Sequence, residues 1–289
     1  MWFQLKIEHC PNEEIEEIIE ELEEHGALSI MLTDKNDNPV LEPEPGAMPL
    51  WPEVIIHALF AQAEEVQFVR KQLVTKRPSL HCSLESLADK DWERAWMEDF
   101  QPHRFGKRLW VCPTWQTPPE PDAVNLILDP GLAFGTGTHA TTSLCLTWLE
   151  QADLKNKSII DYGCGSGILS LAAIKLGAQH VYAVDIDNQA LQATQNNAYV
   201  NHIAESQLSI SSPDALQDPV HLIIANILLA PLISLKERFH QLLPRGEKLV
   251  TSGILEEQVP LLIEAYDSAF THVSTENCDG WSLLVFASK

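Results

Sequence analysis

The sequence predicts an α/β protein, with a mixed, mostly parallel sheet covered by helices on both faces and a small α+β domain in front of it. Three observations predict it. From Thr141 onward, apolar runs of strand length alternate with segments of helical periodicity, the pattern of parallel strands joined by crossover helices. A glycine-rich stretch, Asp161, Tyr162, Gly163, Cys164, Gly165, Ser166, Gly167, falls between one such strand and the next helix. The front of the chain instead joins a period-two strand to a strongly amphipathic helix.

Taking the elements in order, Phe3, Leu5 and Ile7 alternate with Gln4, Lys6 and Glu8, which predicts a strand with one buried face. Asn12 is the expected N-cap of a helix in which Ile15, Ile18, Ile19 and Leu22 share one face and Gly26 supplies the left-handed stop. Eight glutamates between Glu13 and Glu24 occupy its other faces, as a solvated surface or an acidic docking surface would require. Ala27 to Thr33 reads as a second strand, Asp34 to Pro52 as a turn-rich stretch with five prolines, and Pro52 to Ala63 as a second helix. Asp89 to Phe100 reads as a short aromatic helix, followed by strands in RFGKRLWVCPTW and AVNLILDPG. These readings place an α+β domain at 1–90, a connector at 91–105 and the larger domain at 106–289.

The larger domain then runs helix Thr141 to Gln151, strand SIIDYG, helix ILSLAAIKLG, strand HVYAVDID, helix NQALQATQNNAYVN, strand QLSIS, strand HLIIANI, helix PLISLKERFHQLL, strand KLVTSGI and helix VPLLIEAYDSA. The final WSLLVFAS is expected to add an antiparallel edge strand.

Composition narrows the function. With 45% hydrophobic and 21% charged residues, the 289-residue chain can bury a full core. Nineteen Lys and Arg against 41 Asp and Glu leave a net charge of -22, a field that repels nucleic acid and anionic membranes and attracts basic partners. Residues 1–100 hold 22 of the acidic and 8 of the basic side chains, so the front carries most of that field. The six cysteines are scattered, with no CxxC pair and no Cys/His spacing suited to a metal, so reduced thiols and no metal site are expected. The start MWFQLKIEHCPNEE lacks the plan of a secretory signal, and the longest apolar run, Leu222 to Leu235, is too short to span a bilayer. A soluble cytoplasmic protein is expected.

The glycine stretch carries the chemistry. Its glycines let the backbone turn sharply and approach a ligand beyond the carboxyl ends of the strands. Asp185 ends the next strand, where a carboxylate can accept hydrogen bonds from ribose hydroxyls. A nicotinamide dinucleotide would call for GxGxxG and bare N–H groups for its pyrophosphate, whereas the spacing here is GxGxG and Asp161 would face the phosphates. S-adenosylmethionine fits better, because it has a ribose for Asp185, no phosphates, and an ammonium that can pair with Asp161. Asn226, directly after the strand LIIAN, can accept a hydrogen bond from an incoming amine, or serve only as a turn former. The loop Asp129 to Thr142, with three glycines and four threonines, lies just before the first helix of the domain. Its His139 reads first as a structural histidine.

The run DPGLAFGTGTHATTSLCLTWLE, followed by IIDYGCGSGILSLAAIKLGA, VDID and ANILLAPL, resembles the ribosomal protein L11 methyltransferase family. The connector DKDWERAWMEDFQPHRFGKRLWVCP and the front domain are similar to that family's layout as well. The resemblance implies a Rossmann-like class I methyltransferase domain in a cytoplasmic enzyme that methylates lysine side chains and the α-amine of ribosomal protein L11; a monomer is expected, and the acidity argues against direct binding of nucleic acid. It also implies donor contacts at Thr142, Gly163, Asp185 and Asn226, beside Asp161 and Gly165 of the glycine loop, with Asn226 the candidate catalytic residue. Two other readings stay open at this point: a methyltransferase of the same fold acting on another amine or RNA, and a non-catalytic binder of a basic ribosomal protein.

Overall fold

A computed structural model describes residues 2–36, 50–87, 100–129 and 139–289. Most of the expected connector and the glycine-threonine loop from 130 to 138 lie outside the described residues. The chain divides into two compact units, Met1–Met97 and Glu98–Lys289.

The first unit is a βαββαβ arrangement. Its strands are β1 (Trp2–Cys10), β2 (Ser29–Asp34), β3 (Val54–Phe60) and β4 (His81–Leu87), in the order β2-β3-β1-β4 and antiparallel throughout. Helices α1 (Ile15–Glu24) and α2 (Ala63–Lys76) turn Ile15, Ile18, Leu22, Val66, Val69 and Leu73 into one core with Leu5, Ile7, Ile56 and Phe60 of the strands.

Two expectations are corrected here. The stretch Pro52 to Ala63 is not a helix: Val54–Phe60 is the strand β3, held between β1 and β2. Six of its seven residues are apolar, a density that satisfies helical spacing and alternation alike, and the β-branched run Val54, Ile55, Ile56 favours the strand. The helix begins only at Ala63. Asn12 does not cap α1. Pro11 opens a 3₁₀ turn over Asn12–Glu14, which moves the start of the α-helix to Ile15, and the Asn12 amide donates instead to the carbonyl of Trp51 at 3.1 Å. Gly26 ends the helix as expected, at φ +91°.

The glutamate face of α1 is partly neutralised. The Arg77 guanidinium, 10% exposed, reaches Glu14 at 2.8 Å, Glu17 at 2.8 Å and Glu21 at 3.0 Å. One cation thus ties the end of α2 to one carboxylate of the 3₁₀ turn and two of α1.

The second unit is built on a seven-stranded sheet in the order β10-β9-β8-β11-β12-β14-β13. Its parallel strands are β8 (Ser158–Tyr162), β9 (His180–Val184), β10 (Leu208–Ser211), β11 (Leu222–Asn226) and β12 (Lys248–Leu255). β14 (Trp281–Ser288) runs antiparallel, but it is not the edge: it lies between β12 and β13 (Phe270–Cys278), a strand whose exposed, polar sequence hides it from apolar patterning. The helices are α3 (Ala140–Gln151), α4 (Ile168–Lys175), α5 (Asn188–Val200), α6 (Leu229–Leu242) and α7 (Val259–Tyr266). α4 is buried from Ile168 through Ile174, a stretch apolar except for Ser170. β5 (His103–Phe105), β6 (Leu109–Cys112) and β7 (Val124–Ile127) form a separate three-stranded sheet. Among the described residues no helix is long and apolar enough to cross a membrane, and no group of three His, Cys, Asp or Glu is placed to hold a metal.

The turn between β5 and β6 rests on α3 through Gly106, at φ +62°, where a Cβ would lie 2.1 Å from Oε2 of the buried Glu150. Arg108 pairs with the same carboxylate at 3.2 Å. Gly106→Ala is therefore expected to lower stability by about 1–3 kcal/mol, read as a lower urea midpoint at unchanged slope.

Candidate active site

Strand order reverses between β8 and β11, and ligands of open α/β sheets bind where the carboxyl ends of strands diverge in this way. Asp161 lies near the end of β8 and pairs in register with Ile224, two residues before Asn226 at the end of β11. The glycine loop leaves β8 at this point. Gly163, Gly165 and Gly167 all have positive φ, which for residues with a side chain is strained.

Four of the loop's N–H groups are already spoken for. Gly163 and Cys164 donate to the carbonyl of Val184 at 2.8 and 3.0 Å, Gly165 to Oδ2 of Asp185 at 3.0 Å, and Gly167 to the carbonyl of Cys164 at 2.7 Å. A pyrophosphate would need such donors free, so the geometry argues against a dinucleotide. α5 braces the loop from behind: Thr194 donates to the carbonyl of Gly165 at 3.0 Å and Asn197 to that of Ser166 at 2.8 Å. Gly167 must be glycine for this contact, because a Cβ there would meet Thr194 at 2.8 Å.

Asp161 is 1% exposed, and its two oxygens differ. Oδ2 accepts from Ser170, from the backbone N–H at 3.0 Å and from the hydroxyl at 2.7 Å. Oδ1 is buried and has no hydrogen-bond partner. Burial pushes the carboxyl up to about 6; the Ser170 bonds work against that rise, and the charge of Asp185 adds to it. An unpartnered buried carboxylate oxygen calls for a cationic donor, so the residues present fit the ammonium of an amino acid. Asp185 is half-buried, accepts from Gly165 through Oδ2 and from the N–H of Asp187 through Oδ1 at 3.0 Å, and keeps lone pairs for ribose hydroxyls. Beside it Ile186 is 91% exposed, an apolar side chain suited to the face of an adenine.

Across the switch point, the Asn226 amide donates through Nδ2 to Oγ1 of Thr142 at 3.4 Å. That bond orients the amide so that its Oδ1 is the group available to accept from an amine. Thr142 is buried near the start of α3. His139 is the N-cap of α3: Nδ1 accepts from the N–H of Thr141 at 3.3 Å, and the ring stands edge-on to Trp281 with centroids 4.9 Å apart. It is a structural histidine here. The Asn226–Ile227 turn is pressed between two glycines, since a Cβ on Gly163 would meet Cγ2 of Ile227 at 2.5 Å and one on Gly253 would meet the Ile227 carbonyl at 2.5 Å.

The six residues singled out in the sequence, Thr142, Asp161, Gly163, Gly165, Asp185 and Asn226, thus converge on one end of one sheet. Ser170, Thr194, Asn197 and Gly253 were missed. Thr194 and Asn197 left a faint signal, polar residues three apart on a helix whose inner face is otherwise small and apolar at Ala190 and Ala198.

Comparison with known proteins agrees with this geometry. A family profile described as ribosomal protein L11 methyltransferase (PrmA) matches residues 1–289. The chain is 87% identical over 289 residues, all of both chains, to a ribosomal protein L11 methyltransferase of Legionella pneumophila strain Corby. It is 47% identical over 287 residues, 98% of each chain, to one of Nitrosococcus oceani. Among solved structures it is similar to a ribosomal protein L11 methylase of Lactobacillus delbrueckii subsp. bulgaricus, with a TM-score of 0.61 and 31% identity over 66% of this chain and 100% of that one. A match that runs the length of relatives this similar leaves one assignment, and the chain belongs to the ribosomal protein L11 methyltransferase family.

Proposed function

We propose that this protein transfers methyl groups from S-adenosylmethionine to ribosomal protein L11, at lysine side chains and the N-terminal α-amine, acting as a cytoplasmic monomer that does not bind nucleic acid. The observation that carries the reading is the buried, unpartnered Oδ1 of Asp161 beside a loop in which four N–H groups already have acceptors within the protein.

In this reading Asp161 receives the donor's ammonium and Asp185 its ribose hydroxyls. Gly163 and Gly165 bring the backbone close, while Thr142 and Asn226 border the methionine end. When bound, S-adenosylmethionine supplies an electrophilic methyl group on a sulfonium. Asn226 accepts a hydrogen bond from the incoming neutral amine and directs the nitrogen lone pair, so orientation is this chain's main contribution to the rate. Deprotonating a lysine of ordinary pKa near 10.4 costs about 4–5 kcal/mol at pH 7, and an α-amine near 7.7–8.0 only about 1 kcal/mol. His139 spends Nδ1 on the cap of α3 and is not the base in this scheme; water takes the proton before the amine docks.

The first unit is the part that recognises the substrate. Five glutamates of its first helical segment, Glu13, Glu16, Glu20, Glu23 and Glu24, are exposed and make no ion pair among the described residues. They present negative charge to a basic protein.

Three outcomes are expected. Asp185→Ala should weaken donor binding by about 1–3 kcal/mol through loss of charge-assisted bonds to ribose, measured by calorimetry; unchanged affinity in a folded variant would remove the ribose role. Asn226→Ala should lower kcat more than donor affinity, because it orients the acceptor; equal losses would reduce it to a donor contact. Association of the full chain with purified ribosomal protein L11 should slow as salt rises, since exposed charges are screened beyond about 8 Å at physiological ionic strength. A salt-independent association rate would leave the acidity as ordinary solvation.

A further inference from the structure

Ser170 belongs to no motif and faces no solvent. It is 0% exposed, in the first turn of α4, and both of its donors, the N–H at 3.0 Å and the hydroxyl at 2.7 Å, fall on the same oxygen of Asp161. The carboxylate could have shared these bonds between its two oxygens. It does not, and Oδ1 is left buried and unpartnered. An asymmetry of this kind divides the work of the group: one oxygen is anchored to the fold and the other is held in reserve.

Resting on the proposal that Asp161 receives the donor's ammonium, we propose that Ser170 is a positioning residue for methyl-donor binding, anchoring Oδ2 so that Oδ1 is presented to the ammonium. The anchoring also bears on charge. Asp161 has to be ionised to pair with a cation, yet burial opposes ionisation, and so does Asp185 beyond β9, the one charged group that bears on it among the described residues. The thiols of Cys145 on α3 and Cys164 in the glycine loop also face it, and both are pushed up by burial, Cys164 to about 12, so they are neutral. The hydrogen bonds from Ser170 favour the charged form and work against both effects.

The sign follows. Burial holds the Asp161 carboxyl up at about 6 in the free protein, so ammonium binding is half-developed at that pH, approaches full strength above it and weakens up to tenfold per unit below it. Losing the Ser170 hydroxyl raises that midpoint, toward the pH at which the enzyme works.

The test compares two ligands by calorimetry between pH 5 and 8.5: S-adenosylhomocysteine, which carries the ammonium, and methylthioadenosine, which shares the adenosine and lacks it. Ser170→Ala is expected to bind S-adenosylhomocysteine roughly three- to tenfold more weakly at pH 7, with the midpoint of its pH dependence raised by about one unit, and to bind methylthioadenosine within twofold of the parent. Ser170→Thr, which keeps the hydroxyl, should restore the parent profile. An unshifted midpoint, or parallel losses for both ligands, would overturn the proposal. If the alanine variant fails to fold, Ser170→Cys, with its weaker donor, should show the same ligand-selective shift at smaller amplitude, and an unshifted midpoint there overturns the proposal equally. Asp161→Asn separates the two levels of inference. If it fails to discriminate against S-adenosylhomocysteine relative to methylthioadenosine, the ammonium reading itself is wrong, whereas discrimination by Asp161→Asn without any effect in Ser170 variants removes Ser170 alone.

Discussion

A carboxylate buried at the end of the first parallel strand, with one oxygen satisfied and the other not, is the constraint around which the catalytic unit is arranged. Leaving a polar atom without a partner in a protein interior costs about 1–3 kcal/mol, and a fold keeps such an atom only where something else supports it. Here the support is extensive: α4 packs its apolar length against the sheet to bring Ser170 onto Oδ2, and α5 holds the following loop through Thr194 and Asn197. The neighbouring strand brings Asp185 to the loop's own N–H. The site is therefore a property of the sheet's switch point and of two helices behind it, and its geometry is set by packing remote from any ligand.

The distribution of charge has a second consequence. The excess of acid in the first hundred residues is not a uniform cloud, because Arg77 draws Glu14, Glu17 and Glu21 into one cluster while the outermost glutamates of the same segment stay in solvent. The paired ones stiffen the joint between α1 and α2. The unpaired ones supply the long-range field, which acts on encounter rates more than on the strength of a final contact. One helix therefore serves both packing and electrostatics.

How much of this could be read from the sequence depended on whether a signal was local. The parallel sheet and its helices were legible because each element has its own periodicity and the glycine motif falls between a strand and a helix. Five of the six candidate residues were legible because they sit at strand ends or in that motif, and Thr142, in the first turn of α3, came only from the resemblance to the family. What escaped was decided by partners distant in the chain. β3 was misread because its apolar residues are too dense for either period to stand out, and only its place between two strands decides the matter. β13 is polar and exposed, so its strand character comes from pairing with β14. Ser170 was invisible because an apolar helix with one serine reads as tolerance, and Gly253 because a glycine inside the expected strand KLVTSGI shows nothing of the backbone that packs against it.

The turn after β11 has a consequence for how this active site could diversify. Ile227 fills the space left by the missing side chain of Gly163, and its backbone fills that left by Gly253, so the residues that follow β8 and β11 interlock with one in β12. None of them can grow without another yielding. A lineage drifting in sequence would find that turn closed to single steps, with the open route at Leu228, 52% exposed and two residues beyond Asn226. The interlock fixes the backbone that follows Asn226 and leaves the exposed Leu228 free to vary, so sequence change at this turn falls on its outer residue first.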